Sequence, residues 1–220
     1  DSASPGPVAE GNVGGGTAMS CLGFKCGTGT SSRVVETGGA KYTVGVLVQA
    51  NFGGRTQLTI AGVPVGREIV GFTPKVDFAL PPQAQNDAGG RGSIIAIAAT
   101  DAPLVAHQLR RIAQRVALGI GRTGGTAGNG SGDILLAFST ANRGAASREG
   151  LRSIAMLPND ELDPLFDATV QATEEAIVNA LVAAKTMTGI NGNTIFALPH
   201  DQLRRFSDNL RNARDRGHAR

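Results

Sequence analysis

Apolar residues along the chain occur in short β-like runs in the first half and at helical spacing in the second. Residues 42–51, YTVGVLVQAN, are rich in β-branched side chains with apolar residues on both faces, which predicts a strand buried on both sides or nearly so. Residues 58–69 predict a second strand that Pro64 breaks or places at an edge. The runs SIIAIAAT at 93–100 and DILLAFST at 133–140 predict two more buried strands.

Helical spacing follows the strand at 93–100. Asp101 or Thr100 is suited to cap this helix, Pro103 fits its first turn, and Gly119 and Gly121 are expected to stop it. Its apolar stripe consists of Val105, Leu109, Ile112 and Val116. A long helix is predicted over 166–189, ending at Gly189, and a shorter one over 200–212. Because strands and helices do not alternate as regular βαβ units, the pattern predicts a layered α+β fold.

Residues 80–92, LPPQAQNDAGGRG, separate the two halves. They contain prolines, glycines and polar side chains without apolar periodicity, which predicts an exposed linker. The whole chain of 220 residues is nevertheless short enough for a single domain. Its 31 glycines indicate many tight turns and close backbone approaches.

Composition excludes several classes of function. A formal charge of +3, from 21 basic and 18 acidic side chains, is too balanced to indicate a nucleic-acid partner. No apolar run approaches the roughly 18 residues that a membrane helix needs. No zinc-ligand cluster or phosphate-binding Walker loop occurs, so neither a metal nor a cofactor is expected.

The two cysteines, Cys21 and Cys26, have a C-x4-C spacing that matches neither a redox pair nor a zinc knuckle. Placed five residues apart on one strand, they would face opposite sides of a sheet. We therefore expect them to be reduced and structural. The cytoplasm is the favoured compartment, and the periplasm stays open because the sequence does not begin with Met.

A histidine-dependent serine hydrolase is a poor fit to this sequence. His107 lies on the polar side of its predicted helix, and His200 and His218 belong to a charged C-terminal segment. No G-x-S-x-G motif is present. The G-x-G-x-x-G motif at 119–124 lies at the end of a predicted helix. In a dinucleotide-binding site this motif follows a strand and begins a helix, so the match does not indicate such a site.

The Gly92–Ser93 junction offers an alternative, because cleavage there would leave Ser93 at the start of a rigid strand. An α-amino group titrates near about 8 and can act as a general base for the hydroxyl of its own residue. Gly92 removes a Cβ and permits the strained geometry of attack on the preceding carbonyl. Spacing alone favours a simpler interpretation, a serine that merely starts a strand after a loop.

A second candidate cluster is the loop Asn129-Gly130-Ser131-Gly132-Asp133. Ser131 and Asp133 are two apart at a strand start, so they point to the same side as a hydroxyl and carboxylate pair. An Asx or Ser turn explains the same residues without any catalysis. The Asn129-Gly130-Ser131 glycosylation sequon is discounted as a chance match.

Four ordered segments together resemble the P1 family of serine aminopeptidases, which includes L-aminopeptidase/D-esterases and β-aminopeptidases. They are GNVGGGTAMSCLGFKCGTGTSSRVV (11–35), YTVGVLVQANFG (42–53), GRGSIIAIAATDAPLVAHQLRRIAQR (90–115) and NGSGDILLAFST (129–140). The resemblance reverses the preference for the simpler interpretations at both candidate sites.

The resemblance implies a four-layer αββα sandwich, made as a precursor that cleaves itself between Gly92 and Ser93. Residues 1–92 would end the α chain and 93–220 would form the β chain, in a homo-oligomer without metal or cofactor. Ser131 and Asp133 would assist Ser93, and Asn51 would contribute to oxyanion stabilisation. The substrate would be a short peptide, amide or ester with a free amine.

The chain also departs from the family pattern. Family precursors are longer on the N-terminal side, where core strands and part of the substrate pocket lie, so we expect that portion to be absent here. Two rival functions remain open: an acyltransferase like the ornithine acetyltransferases, which normally cleave before threonine, and a non-catalytic fragment or pseudoenzyme that needs a partner segment.

Overall fold

The structure is a computed structural model that describes residues 5–76 and 92–206. The strands are β1 (Ser20–Cys21), β2 (Phe24–Lys25), β3 (Thr28–Thr37), β4 (Ala40–Asn51), β5 (Ser93–Thr100), β6 (Ile134–Ser139), β7 (Met187–Thr188) and β8 (Thr194–Ile195). The helices are α1 (Val65–Glu68), α2 (Ala106–Arg122) and α3 (Asp163–Ala183), with 3-10 turns at Gly14–Gly16, Arg55–Gln57, Asn159–Glu161 and Ile190–Gly192. Residues 200–206 are also helical.

A four-stranded sheet in the order β3-β4-β5-β6 forms the centre of the molecule. β3 and β4 make a long antiparallel hairpin, β5 pairs antiparallel with β4, and β6 pairs parallel with β5. The register between β4 and β5 runs from Val44 opposite Thr100 to Asn51 opposite Ser93. This pairing brings the predicted oxyanion residue directly beside the predicted nucleophile.

The two long helices cover one face of this sheet. α3 packs against β3 and β4, while α2 packs against α3, β5 and β6. Gly29 permits the close approach of α3, because a Cβ there would lie 2.0 Å from the backbone oxygen of Ala176. The strand residues that face the helices are Val44, Val46, Val48, Ala50, Ile94, Ala96 and Ala98, all buried. The buried apolar side chains of β4 and β5 therefore lie on this side of the sheet.

The opposite face of the sheet is open. Alternate residues of β5 and β6 point there, and their apolar side chains are exposed. The exposed members are Ile95, Ile134, Leu136 and Phe138. The prediction of a buried strand at 133–140 was therefore wrong, because no residue of β6 is buried. The strand at 42–51 was predicted to be buried on both sides or nearly so, and β4 is buried on the helix side and partly buried on the other.

Several predicted boundaries need correction. Residues 58–69 do not form a strand: an isolated Ile60–Val63 bridge leads into the single turn of α1. α2 begins after its N-cap Val105 and runs through Gly119 and Gly121 to Arg122. Neither Asp101 nor Thr100 caps this helix, and Pro103 precedes its first turn. Gly119 allows close helix packing instead of ending the helix, because a Cβ there would lie 2.5 Å from Thr173 Cβ.

α3 occupies 163–183, earlier than the predicted 166–189, so Gly189 does not end it. The predicted helix over 200–212 is present as far as residue 206, and its remaining residues lie outside the described ones. Of the predicted linker 80–92, only Gly92 is described. The mixture of sheets and helices agrees with the expected α+β class.

β1 and β2 form a small hairpin joined by a Cys21–Cys26 disulfide, so the expectation of reduced cysteines was wrong. The two cysteines lie on a chain that reverses direction, not on one strand, and their Cα atoms are 5.4 Å apart. The reversal occurs at Leu22 and Gly23, whose φ angles of 51° and 78° are those of a type I′ turn. Gly23 suits its position in this turn, whereas Leu is an unusual residue there.

Among the described residues, no helix is long and apolar enough to cross a membrane. The same residues contain no group of three or more His, Cys, Asp or Glu that could hold a metal ion.

Candidate active site

Ser93 is the first residue of β5 and lies at the end of the sheet where β4 ends. Ile94 is fully buried against the helices, so alternation along the strand directs Ser93 to the open face. Its Oγ accepts a hydrogen bond from the backbone N–H of Gly132, with a distance of 2.9 Å between Oγ and N. The hydroxyl is therefore held by the glycine-rich loop that precedes β6.

Ser131 and Asp133 lie on either side of that glycine and form the predicted hydroxyl and carboxylate pair. Ser131 Oγ is 2.6 Å from Asp133 Oδ1 and 3.0 Å from the carbonyl oxygen of Gly92. A hydroxyl has one proton, so it donates to only one of these acceptors at a time. Because a carboxylate is the stronger acceptor and is closer, the donation to Asp133 is favoured.

Asp133 is also fixed to β5, because its Oδ1 accepts the backbone N–H of Ile94 at 3.0 Å. This contact is possible because β5 and β6 are parallel, with Ile95 opposite Ile134, so the residue before β6 lies beside the start of β5. The parallel pairing thus places a carboxylate and a hydroxyl next to the Gly92–Ser93 bond.

Gly92 has no room for a side chain. A Cβ built there would lie 2.1 Å from the backbone oxygen of Asn51, which is far inside van der Waals contact. The peptide before Ser93 therefore passes tightly against the end of β4. This close approach gives a concrete reason for glycine at position 92, beyond the conformational freedom inferred from sequence.

Asn51 ends β4, and its side-chain Oδ1 accepts the backbone N–H of Ser20 at 3.1 Å. An N–H group can bind only the oxygen of the amide, so this contact fixes which way the amide faces. Among the described residues, none accepts a hydrogen bond from its Nδ2, and the side chain lies at the open face, one strand away from Ser93.

A cavity of about 110 Å³ lies next to the Gly92–Ser93 junction. Its walls include Phe52, Gln57, Ile120 and Thr126, together with Gly92, Ser131 and Asp133. The cavity therefore borders the hydroxyl and carboxylate pair, with both apolar and polar walls.

Neither of the two described histidines joins this site. His107 is exposed on α2, and the Nε2 of His200 lies 3.1 Å from the backbone oxygen of Val182 on α3. His218 lies outside the described residues. The site instead contains Ser93, Ser131, Asp133, Asn51 and Gly92, all of which the sequence analysis named.

Sequence reasoning missed the main-chain groups of the site. The N–H groups of Gly132, Ile94 and Ser20 bind Ser93, Asp133 and Asn51 respectively. Every non-proline residue carries such a donor, so no residue type marks the ones that matter. Only the strand register selects them.

The chain is similar in fold to hydrolases of the N-terminal-nucleophile (Ntn) type. Solved structures that it resembles include the L-aminopeptidase D-Ala-esterase/amidase from Ochrobactrum anthropi, described as a variant of the Ntn hydrolase fold (TM-score 0.79, 49% identity, 90% of this chain and 52% of that chain). Others are the PH0078 protein from Pyrococcus horikoshii OT3 (TM-score 0.80, 49% identity, 93% and 53%) and a Burkholderia sp. β-aminopeptidase (TM-score 0.76, 42% identity, 92% and 55%).

The sequence model of Peptidase family S58 matches residues 1–195, and the chain belongs to this family. Two curated relatives are β-peptidyl aminopeptidases BapA. The one from Sphingosinicella microcystinivorans is 57% identical over 206 residues, covering 92% of this chain and 52% of the relative. The one from Sphingosinicella xenopeptidilytica is 52% identical over 213 residues, covering 94% and 52%. The resemblance to serine aminopeptidases is thus confirmed, and the chain spans about half the length of these relatives.

Proposed function

We propose that this chain carries the nucleophile of a self-cleaving aminopeptidase, with Ser93 as the reactive residue. The observation that supports this most directly is the position of Ser131 and Asp133. Their linked hydroxyl and carboxylate lie against the carbonyl of Gly92, while the loop between them binds Ser93 Oγ. Acid-base groups and a nucleophile thus surround one peptide bond.

In the first reaction, Ser93 Oγ attacks the carbonyl carbon of Gly92. Its proton passes to Ser131 as Ser131 gives its own proton to Asp133. The Ser131 hydroxyl then donates a hydrogen bond to the carbonyl oxygen of Gly92, on which negative charge develops. The C–N bond breaks, the nitrogen of Ser93 takes the proton, and Gly92 is left as an ester on Ser93 Oγ. Water hydrolyses that ester, which frees the Gly92 carboxylate and leaves Ser93 with an α-amine and a hydroxyl.

In the second reaction, the α-amine of Ser93 is the general base. It takes the Oγ proton as Oγ attacks the carbonyl after the N-terminal residue of a substrate, and it returns that proton to the leaving amine or alcohol. Ser131 and Asp133 orient the amine, and Asn51 Nδ2 donates to the oxyanion. Water then releases the amino acid from the acyl-enzyme and restores Ser93.

The substrates follow from this chemistry and from the relatives. Proteins similar to this chain are named for cleaving β-peptides and for L-aminopeptidase and D-Ala-esterase or amidase activity. We propose the same class here: short peptides, amides or esters with a free N-terminal amine. No metal or cofactor takes part in these steps.

The proposed architecture is the four-layer αββα sandwich. The described helices and sheet would form two of its layers, and the open apolar face of the sheet would pack against the second sheet. The relatives are about twice as long as this chain, which fits an N-terminal portion of the fold that this chain lacks. The α chain ending at Gly92, the β chain beginning at Ser93 and a homo-oligomer of both are part of the same proposal.

Intact mass and denaturing electrophoresis test the proposal. The parent protein should give two pieces that separate between Gly92 and Ser93, and it should hydrolyse the p-nitroanilides of L-alanine or β-alanine. Ser93→Ala should give one piece and no turnover. The matched control is Ser153→Ala, because Ser153 is an exposed serine in the segment between β6 and α3, outside the sheet. Cleavage or turnover by Ser93→Ala would refute the assignment.

The same experiment separates the two rivals. A pseudoenzyme remains one piece under all conditions. An acyltransferase gives two pieces but produces an N-acyl product when a second amine is supplied, instead of a free acid.

A further inference from the structure

The β1–β2 hairpin contacts the end of β4 beside the candidate active site. Ser20 N–H donates to Asn51 Oδ1, and Leu22 N–H donates to the backbone oxygen of Phe52 at 2.7 Å. Ser20 begins β1, a strand only two residues long, and Leu22 follows directly after that strand. So short a hairpin is marginal on its own, and something else must hold it in place.

The Cys21–Cys26 disulfide provides one such restraint. It closes the hairpin directly after Ser20, and both cysteines and Leu22 are buried. It also offsets the unfavourable positive φ of Leu22, because the crosslink leaves the chain few alternatives to the turn.

Lys25 provides a second restraint, and its position is unusual. Its side chain is only 2% exposed, and its ammonium group donates to backbone oxygens of Gly16, Met19 and Cys26. Burial lowers the pKa of Lys25. The residue ties together both ends of the hairpin and the loop before it, so Ser20 is fixed from either side.

We propose that this disulfide-closed hairpin is a positioning element for the oxyanion donor, acting through the Ser20 N–H. The inference rests on the proposed function of Asn51. With Oδ1 held by Ser20, Nδ2 faces the open side of the sheet; without that contact the amide can turn and present an acceptor to the developing charge. Both cysteines are buried, so in this proposal they act through Asn51 and not on a substrate directly.

The test compares Cys21→Ala/Cys26→Ala with the parent protein, including any sequence that adjoins this chain in its gene. We expect kcat for an aminoacyl p-nitroanilide to fall by at least about tenfold, and by no more than the roughly 10²–10³-fold that complete loss of an oxyanion donor costs. KM should change less than about twofold. Self-cleavage should continue, because Ser131 and not Asn51 faces the Gly92 carbonyl. Unchanged kcat would overturn the proposal.

A double-mutant cycle separates positioning from general loss of stability. In an Asn51→Ala background, removal of the cysteines should cause no further loss of kcat, and an equal loss in both backgrounds would contradict the proposal. The matched control is Leu157→Ala, because Leu157 is buried beside Gly38 at the opposite end of β4. It should lower stability without this kcat effect.

A further measurement does not depend on turnover. In ¹⁵N-labelled protein, the side-chain NH₂ signals of Asn51, assigned by their loss in Asn51→Ala, should shift or broaden in the cysteine variant and stay in place in Leu157→Ala. Unmoved signals in the cysteine variant would overturn the positioning role even in a protein that does not cleave itself. Cleavage or turnover by Ser93→Ala would instead contradict the proposed function, so the two failures are distinguishable.

Discussion

The two faces of the central sheet present opposite surfaces to their surroundings. On the helix-covered face, Ile94 is 0% exposed, and on the other face Ile95, the next residue along the same strand, is 44% exposed. The covered face holds β4 and β5 in register, and the open face carries Ser93 and Asn51 at its end. Packing on one face therefore fixes the strand backbone, and that backbone sets the positions of the Ser93 and Asn51 side chains on the other face.

The largest effect on this arrangement is expected from Gly92→Ala. The new Cβ would meet the backbone oxygen of Asn51 at 2.1 Å, so either the junction or the end of β4 must move. We expect self-cleavage to be lost, and turnover with it, because the α-amine of Ser93 is never released. Electrophoresis of the freshly purified variant measures this as a single piece.

Gly121→Ala is the matched control for this change, because a Cβ at Gly121 on α2 meets nothing within 4 Å. It should cleave like the parent protein. If Gly92→Ala cleaves at the parental rate as well, the tight passage of the chain between β4 and the 131–133 loop does not govern the reaction.

Asn51→Ala is expected to affect turnover and spare cleavage. Loss of one oxyanion donor typically lowers kcat by about 10²–10³-fold, or about 2.7–4 kcal/mol of barrier. Steady-state kinetics on the cleaved enzyme measures this loss. Because Ser131, and not Asn51, lies within hydrogen-bond distance of the Gly92 carbonyl oxygen, the two-piece pattern should persist. Loss of cleavage in this variant would mean that one donor serves both reactions.

The candidate site residues were easier to select than the elements around them. Local patterns marked Ser93, Ser131 and Asp133 as candidates but favoured simpler interpretations, and the resemblance to a known family supplied their roles, which stay predictions. Leu22 in a type I′ turn and Gly119 inside α2 follow from tertiary contacts, so local rules for turns and helix ends gave the wrong result there. The open face of β6 was missed for a related reason: a run of apolar residues does not say which of its faces is covered.

A third prediction compares the faces directly by stability. Ile94→Ala removes a fully buried side chain from the helix-covered face and should lower the free energy of unfolding by about 2–5 kcal/mol. Ile95→Ala removes the same atoms from the open face and should cost less than about 1 kcal/mol in this chain. Denaturant unfolding of the two variants measures the difference. Equal losses would mean that the open face is covered in solution.

The smallest effect is expected at the rim of the helix-covered face, where α3 meets β3. Glu175 Oε2 accepts from Ser31 Oγ at 2.8 Å and pairs with Arg33 at 2.5 Å. The Ser31 hydrogen bond, followed by Arg33, lowers the pKa of the Glu175 carboxyl. A carboxylate whose folded pKa is lowered stabilises the fold above its unfolded pKa, near about 4.3, and loses that contribution as pH falls through the folded value.

Glu175→Gln should therefore reduce stability slightly at neutral pH and flatten the loss of stability on the acid side of about pH 4.3. Since both side chains of the ion pair are partly exposed, at 33% and 45%, solvent screening keeps the effect small. Thermal unfolding at a series of pH values measures it, with Glu149→Gln as the control because Glu149 is exposed in a surface loop. A parallel shift at every pH, with the same acid slope as the parent protein, would show that the Ser31 and Arg33 contacts do not favour the charged carboxylate.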